Sequence, residues 1–241
     1  MSQRNLVRNT CKTAELAGIV PIGLPNKGVD GYLAHDLPEL AQLPVPLIVN
    51  VMGFTRAEVA QLVRAFSVRD EVSALELNVS CPNVATGLDI GADPRELRSL
   101  LDALRPLTRK PLIVKLTPNT ADVAACAQGA QAGGADAVSL INTLRAMALS
   151  PASGRPWLGG RTGGMSGPAI RAVALAQVAA VAERVSVPII GMGGVASGRD
   201  AAALLEVGAR LVAVGTESFR DPAAGHRIAN ELSARFAENA A

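Results

Sequence analysis

Six short runs of aliphatic and β-branched residues recur along this chain, each followed by an amphipathic stretch, and that alternation limits the fold more than any other feature. The runs are 45–51 (VPLIVNV), 74–79 (ALELNV), 111–116 (PLIVKL), 137–142 (AVSLIN), 187–191 (VPIIG) and 211–215 (LVAVG). Most are nearly continuous in apolar residues, as strands covered on both faces must be, which predicts a parallel sheet. Helices are predicted over 56–69, 94–104, 121–132, 168–185, 199–207 and 222–237. Asp93-Pro94 with Glu96 marks one start, and Gly167-Pro168 is expected to open another in the same manner. The segment before Val45 contains no convincing strand.

Polar residues fall where such a sheet would put a site. Asn50, Asn78, Lys115, Asn142 and Gly193-Gly194 stand at or just past the carboxyl ends of successive strands, and Gly215-Thr216 ends the sixth. A (β/α)8 barrel builds its site from several strand ends, whereas a doubly wound sheet gathers its ligand at one switch point after a Gly-rich turn. No G-x-G-x-x-G follows a strand, so the barrel is favoured. Only six βα units are found in 241 residues, against eight in a closed barrel. The chain is therefore expected to be an α/β protein with six of the eight units of that barrel, the first two strands missing. An irregular lead-in is expected over 1–15 and one domain over 16–241.

Composition excludes several classes of function. Aromatics make up 2% of residues, too few for a base-stacking platform, and 23 basic residues balance 21 acidic ones without a dense cluster, so no nucleic-acid partner is expected. No apolar run reaches the roughly 20 residues that span a bilayer, so no membrane partner is expected either. His35 and His226 cannot form a multi-histidine metal centre, and Cys11, Cys81 and Cys126 form no C-x-x-C pair. A reduced, cytoplasmic setting is expected, with no metal.

The densest chemical constellation is residues 77–84, LNVSCPNV. Two carboxamides and a thiol leave one strand end within a few residues. A carboxamide both donates and accepts, which suits a heterocycle with alternating C=O and N–H groups. A cysteine there can take a proton once it is thiolate; equally, Cys81 could be a small buried apolar group. Lys115 interrupts an apolar strand, and an inward ammonium needs an anion or electron-rich ligand. Glycines at 163–167, 191–194 and 215 would let a phosphate approach backbone N–H groups at the loops where barrels often hold one.

The motifs ELNVSCPNV, VKLTPNTAD, SLINT, GGMSGPAI, VPIIGMGGV and VGTESFRDP, in this order, resemble the class 1 dihydroorotate dehydrogenases, most closely class 1B, from about Ile22 to the C-terminus. The resemblance implies an FMN-containing (β/α)8 barrel that oxidises dihydroorotate to orotate in pyrimidine (UMP) biosynthesis. It implies that Cys81 takes the C5 proton while hydride passes from C6 to the flavin. Asn50, Asn78, Lys115 and Ile141 would contact FMN, with Gly167, Gly193, Gly194, Gly215 and Thr216 at its ring or phosphate. Asn78, Asn142 and Thr143 would hold orotate, and Ile22, Gly23 and Leu24 would cover part of it.

Departures accompany the match. The family's first two strands, with a serine and a Lys-Thr pair, have no counterpart, and an asparagine expected before Ile22 falls on Val20 or Pro21. Three accounts fit: a start placed too far downstream, a truncated and inactive remnant that binds flavin poorly, or a barrel completed by another chain. The change at Val20-Pro21 also leaves room for a related dihydropyrimidine oxidoreductase. The resemblance further implies a partner subunit carrying FAD and an iron–sulfur cluster, and an open arc of strands implies self-association into a homo-oligomer.

Overall fold

A computed structural model describes residues 18–20, 27–53, 55–79, 89–159 and 161–239. Six parallel strands form the central sheet: β2 (Leu47–Val51), β3 (Val72–Asn78), β4 (Leu112–Lys115), β5 (Ala137–Leu140), β8 (Ile189–Met192) and β9 (Leu211–Ala213), paired in the order β2-β3-β4-β5-β8-β9. The six runs read from the sequence are these strands. A second sheet is antiparallel and small. It pairs β1 (Gly18–Val20) with β7 (Gly163–Ser166), and β7 with β6 (Leu144–Ala146). A strand before Val45 therefore exists, contrary to the sequence expectation; it pairs outside the parallel sheet and leaves that count at six.

The helices begin where local chemistry satisfies their first N–H groups. The short α1 (Gly28–Gly31) and α2 (Leu37–Leu40) flank a π-helical turn over Tyr32–Asp36. Thr55 and Glu58 form a capping box at α3 (Arg56–Ser67). Asp93 accepts from the N–H groups of Arg95 and Glu96 at α4 (Pro94–Leu104), with Pro94 at the first position. Asp122 caps α5 (Val123–Ala132) and Ser197 caps α7 (Gly198–Glu206). Between them lies α6 (Arg171–Ala182), and α8 (Ala224–Asn239) ends the fold. The Gly167-Pro168 start differs from expectation: a 3-10 turn over Pro168–Ile170 precedes α6, and no side chain caps either.

Apolar residues at helical spacing turn these helices onto the sheet. In α4 the buried set is Leu97, Leu100, Leu101 and Leu104, an i, i+3, i+4, i+7 stripe. It packs in one continuous core with Leu75, Leu77, Leu112, Val114, Val138 and Leu140 of β3, β4 and β5. Between α4 and α5 the approach is close: a Cβ on Gly129 would stand 2.2 Å from the Pro94 carbonyl oxygen. The opposite face of the sheet carries a separate small cluster, Ala74, Ile113 and Ile190, packed by Ala137, Met192 and Ala213. The architecture is thus a partial (β/α)8 barrel: six parallel strands with helices outside and an inner face left to other uses.

Candidate functional site

Alternation along the strands decides which residues share the inner face. Ile113 lies on it, so Lys115, two positions on, does too, and Lys115 is half-buried. The register aligns Lys115 with Asn78 on one side and Ser139 on the other, giving one polar row across β3, β4 and β5. One step toward the strand starts, Asn50 aligns with Glu76, and Glu76 with Ile113. The inner face thus gathers polar groups on β2 to β5, with the apolar Ile113 and Ile190 in the same rows and Met192 beyond them. Lys115 enters no ion pair among the described residues. A half-buried ammonium so placed is a donor waiting for an electron-rich ligand.

Two hydrogen-bonded groups organise this face. Asn142 Nδ2 donates to Asn78 Oδ1 at 3.3 Å, and Asn142 Oδ1 accepts from the Thr143 N–H at 2.9 Å. Asn119 steadies the same loop: its Nδ2 donates to the Thr143 carbonyl at 3.0 Å, and its Oδ1 accepts from the Arg145 N–H at 2.9 Å. In the second group Glu76 accepts from Asn50 Nδ2 at 2.5 Å and from Ser139 Oγ at 2.6 Å. Asn119 and Glu76 were not singled out by sequence reasoning. Asn119 sits inside the quoted VKLTPNTAD motif, and Glu76 is the lone carboxylate in an otherwise apolar run, so both left a signal.

The glycine-rich turns meet around the start of α6. Gly193 (φ 127°) and Gly194 (φ 75°) both occupy the left-handed region that favours glycine. A Cβ on Gly194 would stand 2.8 Å from the Gly167 carbonyl oxygen and 3.1 Å from the Arg171 nitrogen, and one on Gly193 3.0 Å from Ile141 Cγ1. These positions thus bring the end of β8, the start of α6 and the buried Ile141 together. Glycine at these positions leaves room for a phosphate to approach the backbone, while the Ile170 and Arg171 N–H groups are held by the carbonyls of Gly167 and Pro168 in the 3-10 turn. Gly215 stands apart: it is exposed, with open space where a Cβ would be, and Thr216 is half-buried.

Four expected site residues, Ile22, Gly23, Leu24 and Cys81, lie outside the described residues. The chain leaves β3 at Val79 and comes back against it, since a Cβ on Gly91 would stand 2.2 Å from the Val79 carbonyl oxygen. Cys126, given no role by the sequence, is fully buried in α5, and burial pushes its thiol up from the ordinary value, against a smaller lowering by its contact with Thr120. His35 and His226 are exposed and distant in sequence from the polar rows, and no group of metal-holding side chains occurs among the described residues. Among them, too, no helix is long and apolar enough to cross a membrane.

Comparison with known proteins gives a consistent result. The family model described as dihydroorotate dehydrogenase matches residues 12–236. A protein of Geobacter sulfurreducens named dihydroorotate dehydrogenase B (NAD(+)), catalytic subunit, is 44% identical over 219 residues, which is 90% of this chain and 72% of that protein. Its namesake in Trichlorobacter lovleyi is 45% identical over the same shares of both chains, and that of Pelobacter propionicus 46% identical over 88% and 70%. Among solved structures, a DHODH from Eimeria tenella in complex with ferulenol aligns with a TM-score of 0.73 over 90% of this chain and 66% of that one. At 24% identity it bears on the fold alone.

Proposed function

Because this chain belongs to the dihydroorotate dehydrogenase family, with catalytic subunits of the class 1B type as its relatives, we propose that it oxidises dihydroorotate to orotate using FMN, in pyrimidine biosynthesis. The observation that carries this reading is the polar row Asn78, Lys115 and Ser139, flanked on the same face by the apolar Ile113 and Ile190 and joined by Asn142. A flat heterocycle needs that combination: apolar surface for its face, and paired donors and acceptors for its carbonyl and N–H edge. Bound FMN would supply the two-electron acceptor for the hydride from C6.

The residues then divide the work. Lys115 donates to a ligand carbonyl or ring nitrogen on the inner face. Asn50 and Ile141 line the flavin side, and Gly167, Gly193 and Gly194 admit the phosphate to the start of α6, with Gly215 and Thr216 at its far edge. Asn78, Asn142 and Thr143 hold the pyrimidine, the two carboxamides being already linked to one another, and Ile22, Gly23 and Leu24 complete its cover. Cys81 takes the C5 proton as thiolate. Electrons would leave through a partner subunit carrying FAD and an iron–sulfur cluster, a reading supported by the words "catalytic subunit" in the relatives' names. Self-association and a cytoplasmic location belong to the same proposal. The edge strands β2 and β9 support self-association, for they carry exposed Ile48 and Leu211 on the inner face.

The test is anaerobic. Dihydroorotate added to the FMN-loaded protein should bleach the flavin's visible absorbance, and Cys81→Ala should keep the flavin while slowing that bleaching at least about a hundredfold near neutral pH. Retained flavin with no bleaching by dihydroorotate would move the substrate to another dihydropyrimidine. No flavin uptake at all would leave an inactive remnant.

A further inference from the structure

Glu76 is an unexpected residue where it stands. Its chain neighbours Leu75 and Leu77 are 0% and 1% exposed on the helix side, and its row on the inner face continues into Ile113 and Ala137. A half-buried carboxylate among aliphatic groups is costly unless donors meet it. Two do, from strands that are not neighbours of one another: Asn50 Nδ2 of β2 meets Oε2 at 2.5 Å, and the fully buried Ser139 Oγ of β5 meets Oε1 at 2.6 Å. Glu76 therefore links strands β2 and β5 across the inner face, directly beneath the row that holds Lys115.

The consequence falls on Asn50. A carboxylate accepts and cannot donate, so Asn50 must turn its Nδ2 toward Glu76, and its Oδ1 is thereby turned away. The opposite rotamer would set two acceptor oxygens against each other. We propose that Glu76 is a positioning residue that fixes the Asn50 carboxamide as the acceptor for an imide N–H of a ring ligand bound on the inner face. Isoalloxazine and the pyrimidine ring both carry that group, an N–H between two carbonyls. The proposal rests on the flavin reading above.

A thermodynamic cycle on binding tests it, with FMN affinity read from quenching of flavin fluorescence and orotate affinity from the perturbation of the bound flavin's spectrum. Glu76→Met keeps the volume and removes both acceptors, and it should weaken one of the two affinities about tenfold, as should Asn50→Ala. The double variant should be no weaker than Asn50→Ala alone. Loss in the FMN constant identifies the flavin imide, and loss in the orotate constant identifies the pyrimidine. A reciprocal exchange supplies a readout that general loosening would not move. Asn50→Asp opposes two carboxylates and should weaken the same affinity. Adding Glu76→Gln should restore it to within about threefold, because the amide introduced on β3 can donate to the carboxylate introduced on β2. Unchanged affinities in Glu76→Met, multiplying effects in the double variant, or no recovery in the exchange would each overturn the proposal. Wild-type protein that binds neither ligand would overturn the flavin reading and this proposal together. Binding by the wild type with indifferent variants overturns this one alone.

Discussion

On its outer face the parallel sheet presents Leu75, Leu77, Val114, Val138 and Leu140, none more than 1% exposed, to a layer of helices; on its inner face the same strands present Glu76, Asn78, Lys115 and Ser139. The outer residues share one packed core with Leu97, Leu101 and Leu104, whereas the inner apolar cluster is small and shares its rows with these polar groups. One set of strands thus serves two purposes on alternate residues. Stability is concentrated where the helices cover the sheet, and polar groups that a packed core would exclude are kept on the other side.

Breaking the outer face should have the largest effect. Leu101→Ala, at a fully buried position, is expected to cost about 3–5 kcal/mol in urea unfolding, because the surrounding helices cannot close over the void. Inside the sheet the expectation reverses. Lys115→Met removes a half-buried ammonium that enters no ion pair among the described residues, so its melting temperature should match or exceed the wild type. Its FMN affinity should fall at least about tenfold, from loss of a charge-assisted bond. A large stability loss in Lys115→Met would show that the two faces are not separable.

This division also explains what could be read in the sequence. The six parallel strands were legible because their runs are rich in aliphatic residues, packed on the helix side and joined by Ala74, Ile113 and Ile190 on the inner one, and the start at Asp93-Pro94 because a capping side chain is a local signal. The small antiparallel sheet was not, since Gly163–Ser166 lacks the β-branched residues that mark a strand and owes its pairing to partners at β1 and β6. The polar strand ends Asn50, Asn78 and Lys115 could be picked out one at a time. The bridge from Asn50 through Glu76 to Ser139 could not, because it spans 63 residues from Glu76 to Ser139 and exists only once the strands align. Gly167 shows a third case: its motif was visible, but the 3-10 turn that it opens was not.

Smaller effects sharpen the outer side of the comparison. Asp122 accepts from the Ala125 N–H, chiefly for which reason its carboxyl is held below the ordinary range, and Asp122→Ala should lower the melting temperature by less than Leu101→Ala does. The smallest expected effect lies around Arg227, which bonds Asp221 at 3.0 Å and Glu231 at 2.8 Å. Asp221 is lowered chiefly by that bond, and Glu231 chiefly by the Gly198 N–H and then by Arg227. Lowered native values mean that the stabilisation is whole above the ordinary carboxylate range and disappears as pH falls through the native values. The melting-temperature gap between wild type and Arg227→Met should therefore be present near neutral pH and close in acid. A gap that widens in acid would reverse the sign.

The most direct measurement is a crystal structure of the protein grown with FMN and orotate. The isoalloxazine is expected against the inner face, with Lys115 and Asn78 in hydrogen-bond contact with the ligands and the phosphate at Gly193 and Gly194. Ligand density elsewhere on the molecule, with Lys115 turned to solvent, would contradict the account.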